Sequence, residues 1–425
     1  MIPRLLVAAL AALLLGAAPA AAGEPDATAP SYDVALTGSD KGFRWAGRET
    51  IAFTNPGATP LDRIWLRLWG NGGWGCRAPR HVRIANVAGA TAGAPATFCS
   101  AVPLRLAAPL APGARGSVSF DVDIRVPDTP GRFGHRRRIA LLSNAIPALA
   151  HLEGGAWRLD RYFPLGEAWT YPAADWTVRL DAPPGVAIAA PGVLQPDGSR
   201  RLERGRDYSF AAGRLRSVSA VVAGVDVTVW GVRGPRSAGL ERVLRITRKR
   251  LPRLAALFGP YGWPDLQIVV TDDASMEHTG LIMTAPQDFV ITHELAHEWW
   301  YALIGNDQAQ EPWLDEAFAS YAEEAAGAQG FAWCRRPGRR TGIVTRGTAY
   351  FRAHHYEGYG LVYAEGACLL DVLRKRMGRA RFGAALRAYA DANRYGWSTG
   401  GEFRAAMDAA SPVPLGDLWR RYRVG

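Results

Sequence analysis

The sequence predicts an α+β chain in two parts, an antiparallel β-rich first half and a mainly helical second half. Three observations predict it. Short period-two apolar runs separated by Pro/Gly turns recur from about residue 32 to 232. Apolar residues at helical spacing then take over from residue 236. The chain has 425 residues, and at roughly 100–200 residues per domain that is enough for two domains.

The elements follow in order. Residues 23–35, rich in Ala, Pro and Asp, are expected to be a flexible lead-in. Strands are expected at Thr50–Thr54, ending at Asn55-Pro56-Gly57, and at Arg63–Trp69, ending at Gly70-Asn71-Gly72-Gly73. Further strands are Gly116–Val126, Trp176–Leu180 before Pro183-Pro184-Gly185, and Val225–Trp230 before Gly231. Residues 236–258 carry Leu240, Val243, Leu244, Leu251, Leu254, Leu257 and Phe258 on one helical face. Pro264 opens a strand at Leu266–Val270, and from about 287 the chain is mostly helical. The change of period near 231–236 divides the chain into 23–232, the β-rich domain, and 233–425, the second domain.

Residues 1–22 stand apart. Arg4, the apolar run Leu5–Leu15 and Ala20-Ala21-Ala22 form the positive, apolar and small-residue sequence of a secretory signal peptide, cleaved near Ala22. The run is too short to span a bilayer and is followed by Gly16 and Pro19. Export to an extracellular or periplasmic compartment favours disulfides among the four cysteines. Three connectivities are possible; 76–99 and 334–368 are favoured because each stays within one half.

Apolar residues at 48% and charged residues at 21% exclude wholesale disorder. The formal charge of +11 is carried almost wholly by Arg, the only Lys being Lys41, Lys249 and Lys375. Arg136-Arg137-Arg138 is the one triple run and lies in a loop. No nucleic-acid-binding motif accompanies it, so the basic excess reads as an arginine-biased solvated surface.

The chemistry is carried by His293-Glu294-Leu295-Ala296-His297. On a helix, positions i and i+4 share a face, so His293 and His297 can bind one Zn²⁺. Glu294 beside them can serve as general base on a water whose pKa the ion lowers to about 7. Pro312-Trp313-Leu314-Asp315-Glu316-Ala317-Phe318 reads as the start of another helix. Eighteen residues separate His297 from Glu316, enough to bring a carboxylate back to the same ion. Two His and one Glu with an open position form a catalytic zinc set. Asp315 is the competing ligand, which spacing alone barely separates from Glu316, or else a group that orients a ligand His.

H-E-x-x-H, eighteen residues and Glu, within Trp313-Leu314-Asp315-Glu316-Ala317-Phe318-Ala319, resembles the aminopeptidase N family of gluzincin zinc metallopeptidases, in its short secreted bacterial form. The family pattern is W-L-N-E-G-F-A, from which Asp315 and Ala317 depart. The resemblance implies a β-rich N-terminal domain followed by a thermolysin-like catalytic domain. It also implies two more site residues. Ala274-Ser275-Met276-Glu277-His278 stands where the family has G-x-M-E-N, so Glu277 matches the carboxylate that holds the substrate's free amino group, with His278 in place of Asn. Tyr363-Ala364-Glu365-Gly366 resembles the family's Y-x-K-G, so Tyr363 matches the donor to the oxyanion; Tyr356 and Tyr359 are nearby alternatives. Asp160–Pro164 resembles a family turn and reads as structural, and His354-His355 read as exposed loop residues.

The expectation is a secreted zinc-dependent metallopeptidase with one Zn²⁺ per chain, acting on peptides or proteins and removing N-terminal residues. Its metal ligands are His293, His297 and Glu316, its catalytic groups Glu294 and Tyr363, and its substrate-binding group Glu277. Two alternatives stay open: an endopeptidase or oligopeptidase on the same scaffold, and a non-catalytic cell-surface protein retaining the fold. No nucleic acid partner and no transmembrane segment in the mature chain are expected. Oligomeric state is unknown from sequence.

Overall fold

The computed structural model describes residues 28–77, 80–136, 138–233, 239–327, 334 and 342–424. The signal segment 1–22, its cleavage site and Arg137 of the triple run lie outside the described residues.

The first half is built of sheets. A seven-stranded sheet runs in the spatial order 193–194, 200–205, 174–181, 31–39, 44–54, 115–125 and 82–88. A four-stranded sheet follows the order 148–149, 61–67, 101–110 and 90–92, and another the order 187–189, 210–213, 139–142 and 133–136. Alternation explains the packing. Along Ser31–Ser39 every second residue is buried, which turns Tyr32, Val34 and Leu36 inward. Tyr32 stacks on Trp176 with ring centroids 3.7 Å apart, and Trp45 meets Phe210 of a four-stranded sheet edge-on at 5.0 Å.

Two local expectations change. Residues 31–35 are not lead-in; they begin the strand Ser31–Ser39, whose alternation the neighbouring Pro and Ala residues obscure. That strand pairs in parallel with Ala174–Asp181, within an otherwise antiparallel sheet. Apolar period reports a strand but not its direction.

The second half holds a five-stranded sheet in the order 215–222, 225–232, 265–270, 281–284 and 276–278. The hairpin 215–232 precedes the change of period near 231–236, yet it pairs with this sheet through the parallel register Val227 to Leu266. Eight α-helices are described: α1 (Gly239–Phe258), α2 (Asp288–Ala296), α3 (Trp313–Ala326), α4 (Thr348–Ala353), α5 (Gly360–Met377), α6 (Arg379–Ala392), α7 (Gly400–Ala410) and α8 (Gly416–Tyr422). α1 buries Leu240, Val243, Leu244, Leu251, Leu254 and Phe258, the stripe that its spacing predicts. Among the described residues no helix is long and apolar enough to cross a membrane. Cys76 is bonded to Cys99 and Cys334 to Cys368, the pairing favoured from sequence.

The β-rich first half and helical second half therefore stand as expected. One hydrophobic core runs through both, from Trp45 and Phe120 in the sheets to Trp299, Phe318 and Leu369 among the helices.

Candidate active site

The site grows from two helices. Asp288 at the start of α2 accepts both Nε and Nη2 of Arg250 on α1 at 2.8 Å each, which fixes where α2 begins. α2 ends at Ala296, one residue before His297, as the chain turns through buried Trp299 and Trp300. That ending frees the Trp300 carbonyl, which accepts from His297 Nδ1 at 3.0 Å. His293 Nδ1 likewise faces Glu323 Oε1 at 2.7 Å. The Trp300 carbonyl can only accept and Glu323 Oε1 can accept likewise, so each imidazole with its hydrogen on Nδ1 turns a bare Nε2 lone pair inward.

Those lone pairs meet. His293 Nε2 lies 3.1 Å from His297 Nε2, and Glu316 Oε2 lies 3.2 Å from the first and 3.5 Å from the second. A tetrahedral Zn²⁺ at about 2.0–2.1 Å from each ligand requires donors about 3.3–3.4 Å apart. Three electron-rich atoms facing one another at that spacing repel without a cation between them. The residues therefore fit a zinc ion. Glu316 and Glu323 come from one face of α3, seven residues or two turns apart, so one helix supplies both a ligand and the support of another ligand.

Asp315 takes neither role that spacing left open. Its Oδ2 accepts from Gln308 Nε2 at 2.6 Å and its Oδ1 from the Glu316 amide at 2.8 Å; neither oxygen bonds a histidine ring. Gln308 Nε2 also lies 3.4 Å from Glu277 Oε1. Asp315 thus holds the amide of Glu316 and, through Gln308, connects to Glu277.

Glu277 sits on the edge strand Met276–His278, and the structure brings it to the metal-ligand cluster: oxygens of Glu277 and Glu294 and a nitrogen of His297 all lie within 4.8 Å of one another. Tyr363, in the first turn of α5, donates its hydroxyl to Glu316 Oε1. All six residues singled out from sequence therefore share one place. They border a cleft of about 430 Å³, whose walls also include Arg132, Tyr162 and Glu167. His354, by contrast, is exposed and bonded to the Tyr350 carbonyl, as its loop position suggests.

The cleft is strongly acidic. Burial pushes Glu294 up to about 7, against the pull of His293 and His297. Burial also raises Glu277, reinforced by the charges of Glu167 and Glu316. Asp315 is pushed up to about 7 by burial and by Glu316. Glu316 goes the other way: burial alone would raise it, but the adjacent His293 and His297 rings outweigh burial and hold it well below its ordinary range. The half-buried Arg132 on the wall pairs with Glu167 at 2.8 Å, donates to the Phe163 and Gly166 carbonyls, and lies over Tyr162 and Trp169.

Arg132, Glu167, Gln308 and Glu323 were not legible in the sequence. The nearest signal was Asp160–Pro164, read as a structural turn; its Tyr162 and Pro164 line the cleft. α3 and α5 meet at small residues: a Cβ on Gly366 would lie 2.3 Å from the Ala317 Cβ. That contact brings Tyr363 on one helix to Glu316 on the other.

No family model matches the chain. Among curated proteins it is 23% identical over 249 residues to aminopeptidase N of Lactobacillus delbrueckii subsp. lactis, covering 49% of this chain and 30% of that one. It is 25% identical over 146 residues to a probable aminopeptidase 2 of Sulfurisphaera tokodaii, covering 30% of this chain and 19% of that one. The chain thus matches less than a third of the length of either relative. Among solved structures it resembles an M1 zinc metallopeptidase from Deinococcus radiodurans at TM-score 0.66 and 20% identity, over 95% of this chain and 94% of that one. A mutant two-domain M1 zinc metallopeptidase bound to L-arginine superposes equally well, at TM-score 0.66 and 20% identity over the same shares. The chain has the two-domain M1 metallopeptidase fold, and the resemblance to aminopeptidase N read from its motifs is borne out.

Proposed function

We propose that the chain is a zinc-dependent aminopeptidase that removes N-terminal residues from peptides. The observation that carries this reading is the convergence of two bare imidazole nitrogens and one carboxylate oxygen at 3.1–3.5 Å, with Glu277 and Glu294 beside them. His293, His297 and Glu316 would hold one zinc ion per chain. Zinc bound there supplies Lewis acidity toward a scissile carbonyl and an attacking water.

The rest is the work of side chains. Glu294, poised near neutrality by burial, takes a proton from the attacking water and returns it to the leaving amine. The Tyr363 hydroxyl, a donor at the cleft wall, stabilises the negative charge that develops on the carbonyl oxygen. Glu277 binds the substrate's free amino terminus: a buried carboxylate raised by its acidic neighbours gains from a cationic amine what those neighbours cost it. Gln308, held by Asp315, orients Glu277 for that contact. The β-rich domain closes one side of the cleft through Arg132 and Glu167. Residues 1–22 direct export and 23–232 and 233–425 form the two working domains, with the hairpin 215–232 tied by its pairing to the catalytic sheet. The two disulfides suit an oxidising compartment.

Metal analysis combined with hydrolysis of matched free and N-acetylated peptides tests the reading. One zinc per chain and stepwise release from free peptides are expected. Removing one member of a buried charge pair costs about 3–5 kcal/mol, so acetylation should lower kcat/KM by roughly two to three orders of magnitude. Equal cleavage of both peptides at internal bonds would show an endopeptidase instead.

A further inference from the structure

Glu277 stands on an unusually slight support. Its strand is three residues long and lies at the edge of the five-stranded sheet, paired on one side only, with Leu281–Thr284. Successive residues of a strand point to opposite faces. Met276 and His278 therefore point away from Glu277, and both are held by the β-rich half. Arg132 Nη1 lies 3.7 Å from Met276 Sδ. His278 is fully buried between two polar groups: its Nε2 is 2.7 Å from Ser143 Oγ and its Nδ1 is 2.5 Å from Asp207 Oδ2.

Asp207 is itself fixed. It accepts from the Thr279 amide at 2.9 Å and from Ser209 Oγ at 3.1 Å. Burial alone would raise it, but His278 and these donors outweigh burial and hold it below its ordinary range. As an ionised acceptor it places the His278 proton on Nδ1, which leaves Nε2 to accept the Ser143 hydroxyl. Ser143 follows the strand 139–142 and Ser209 precedes its partner 210–213, so both sit at one end of a sheet ladder. The Asn144 amide donates to Ser209 Oγ at 2.9 Å and closes that end. The adjoining Arg206 reaches the other half of the site: its amide donates to Thr279 Oγ1 and its guanidinium to the Tyr301 carbonyl, just past the His293–His297 turn.

We propose that Ser143, His278 and Asp207 form a positioning relay through which the β-rich domain sets the place of Glu277, and with it the discrimination between free and blocked amino termini. The inference rests on the proposed aminopeptidase reading, in which Glu277 binds the amine. None of the three residues touches substrate; they act through the strand that Glu277 shares with His278. The buried network supplies the rigidity that a three-residue edge strand lacks. It also explains His278 at a position where the resembled motif has Asn: the longer imidazole reaches two partners across the domain boundary.

The experiment compares the whole chain with its Ser143→Ala and Asp207→Asn variants, each assayed for zinc content, thermal midpoint, and kcat and KM on a free and an N-acetylated peptide of the same sequence. A misplacement of about 1 Å can cost 10²-fold. The variants should therefore lose tenfold or more of the free-over-acetylated preference, mainly through KM on the free peptide, with zinc and turnover of the acetylated peptide retained. Ser143→Ala removes a single hydroxyl and carries the test alone if Asp207→Asn does not fold. Wild-type preference unchanged in Ser143→Ala overturns the relay and leaves the aminopeptidase reading standing. Equal losses on both peptides mean a purely structural role and overturn it also. A wild type that does not distinguish the peptides refutes the role of Glu277, and the relay with it. Labelling of wild-type Ser143 by a fluorophosphonate, lost in Asp207→Asn, would make Ser143 a nucleophile and overturn the proposal.

Discussion

Removing the Glu323 carboxylate should loosen zinc without touching a zinc ligand. His293 Nδ1 lies 2.7 Å from Glu323 Oε1, whereas His297 relies on a neutral carbonyl at 3.0 Å. The two histidines of the proposed zinc site are therefore unequally supported, and the charge-assisted contact is the stronger. Such outer partners are worth about 10–100-fold in metal affinity. Glu323 keeps 23% of its side-chain surface exposed, so water can replace part of the lost contact. That places Glu323→Ala at the low end, about tenfold, or roughly 1.4 kcal/mol. Glu323→Gln retains an acceptor oxygen without the charge and should fall between wild type and Ala. Competitive titration with a chromophoric chelator at fixed pH reads all three. A zinc Kd for Glu323→Ala within about twofold of wild type would refute the claim that this contact orients His293.

Further outcomes follow from the same geometry. Glu294→Gln should retain zinc and lose turnover by about 10²–10⁴-fold, because an amide cannot take the water's proton; unchanged kcat in a zinc-replete variant would refute that role. Tyr363→Phe should lower kcat by about 10²–10³-fold with little change in KM, as expected for a donor used only when charge develops; an effect confined to KM would contradict it. Arg132→Ala strands Glu167 in a buried acidic wall, so calorimetric unfolding should show a loss of about 3–5 kcal/mol, smaller in the double variant with Glu167→Gln. Glu316→Ala should abolish zinc binding, while Asp315→Asn, which still accepts from Gln308, should keep it; the reverse pattern would exchange their roles.

What the sequence made legible is what sits close along the chain. His293 and His297 lie one helical turn apart, and the Pro312-to-Glu316 segment announces its own helix, so the residues that the fold gathers could be singled out before any fold was known. α1 showed its buried stripe in the same way, as did the alternating strand Gly116–Val126, observed as Arg115–Arg125. Contacts made across the fold left no such trace. Arg132 and Glu167 meet over 35 residues, and Ser143 and His278 over 135, at spacings that no local period records. The hairpin 215–232 reads as a pair of strands in any context; which sheet it joins depends on the partner strand 265–270, beyond helix α1. Asp315 shows the remaining limit, since neighbours on a helix differ in direction by about 100° and only packing decides which one faces the cleft.

The close meeting of α3 and α5 at Ala317 and Gly366 binds two otherwise separate positions into one evolutionary character. The crossing has room for a single methyl group, and in this chain it stands on α3, where the resembled motif has glycine. A methyl gained on α5 alone would wedge the helices apart and draw the Tyr363 hydroxyl away from Glu316. Lineages that drift at one position are thus constrained at the other, even though neither side chain reaches the cleft. The history of such chains should show the methyl exchanged between the two helices or lost from both, and seldom present on both.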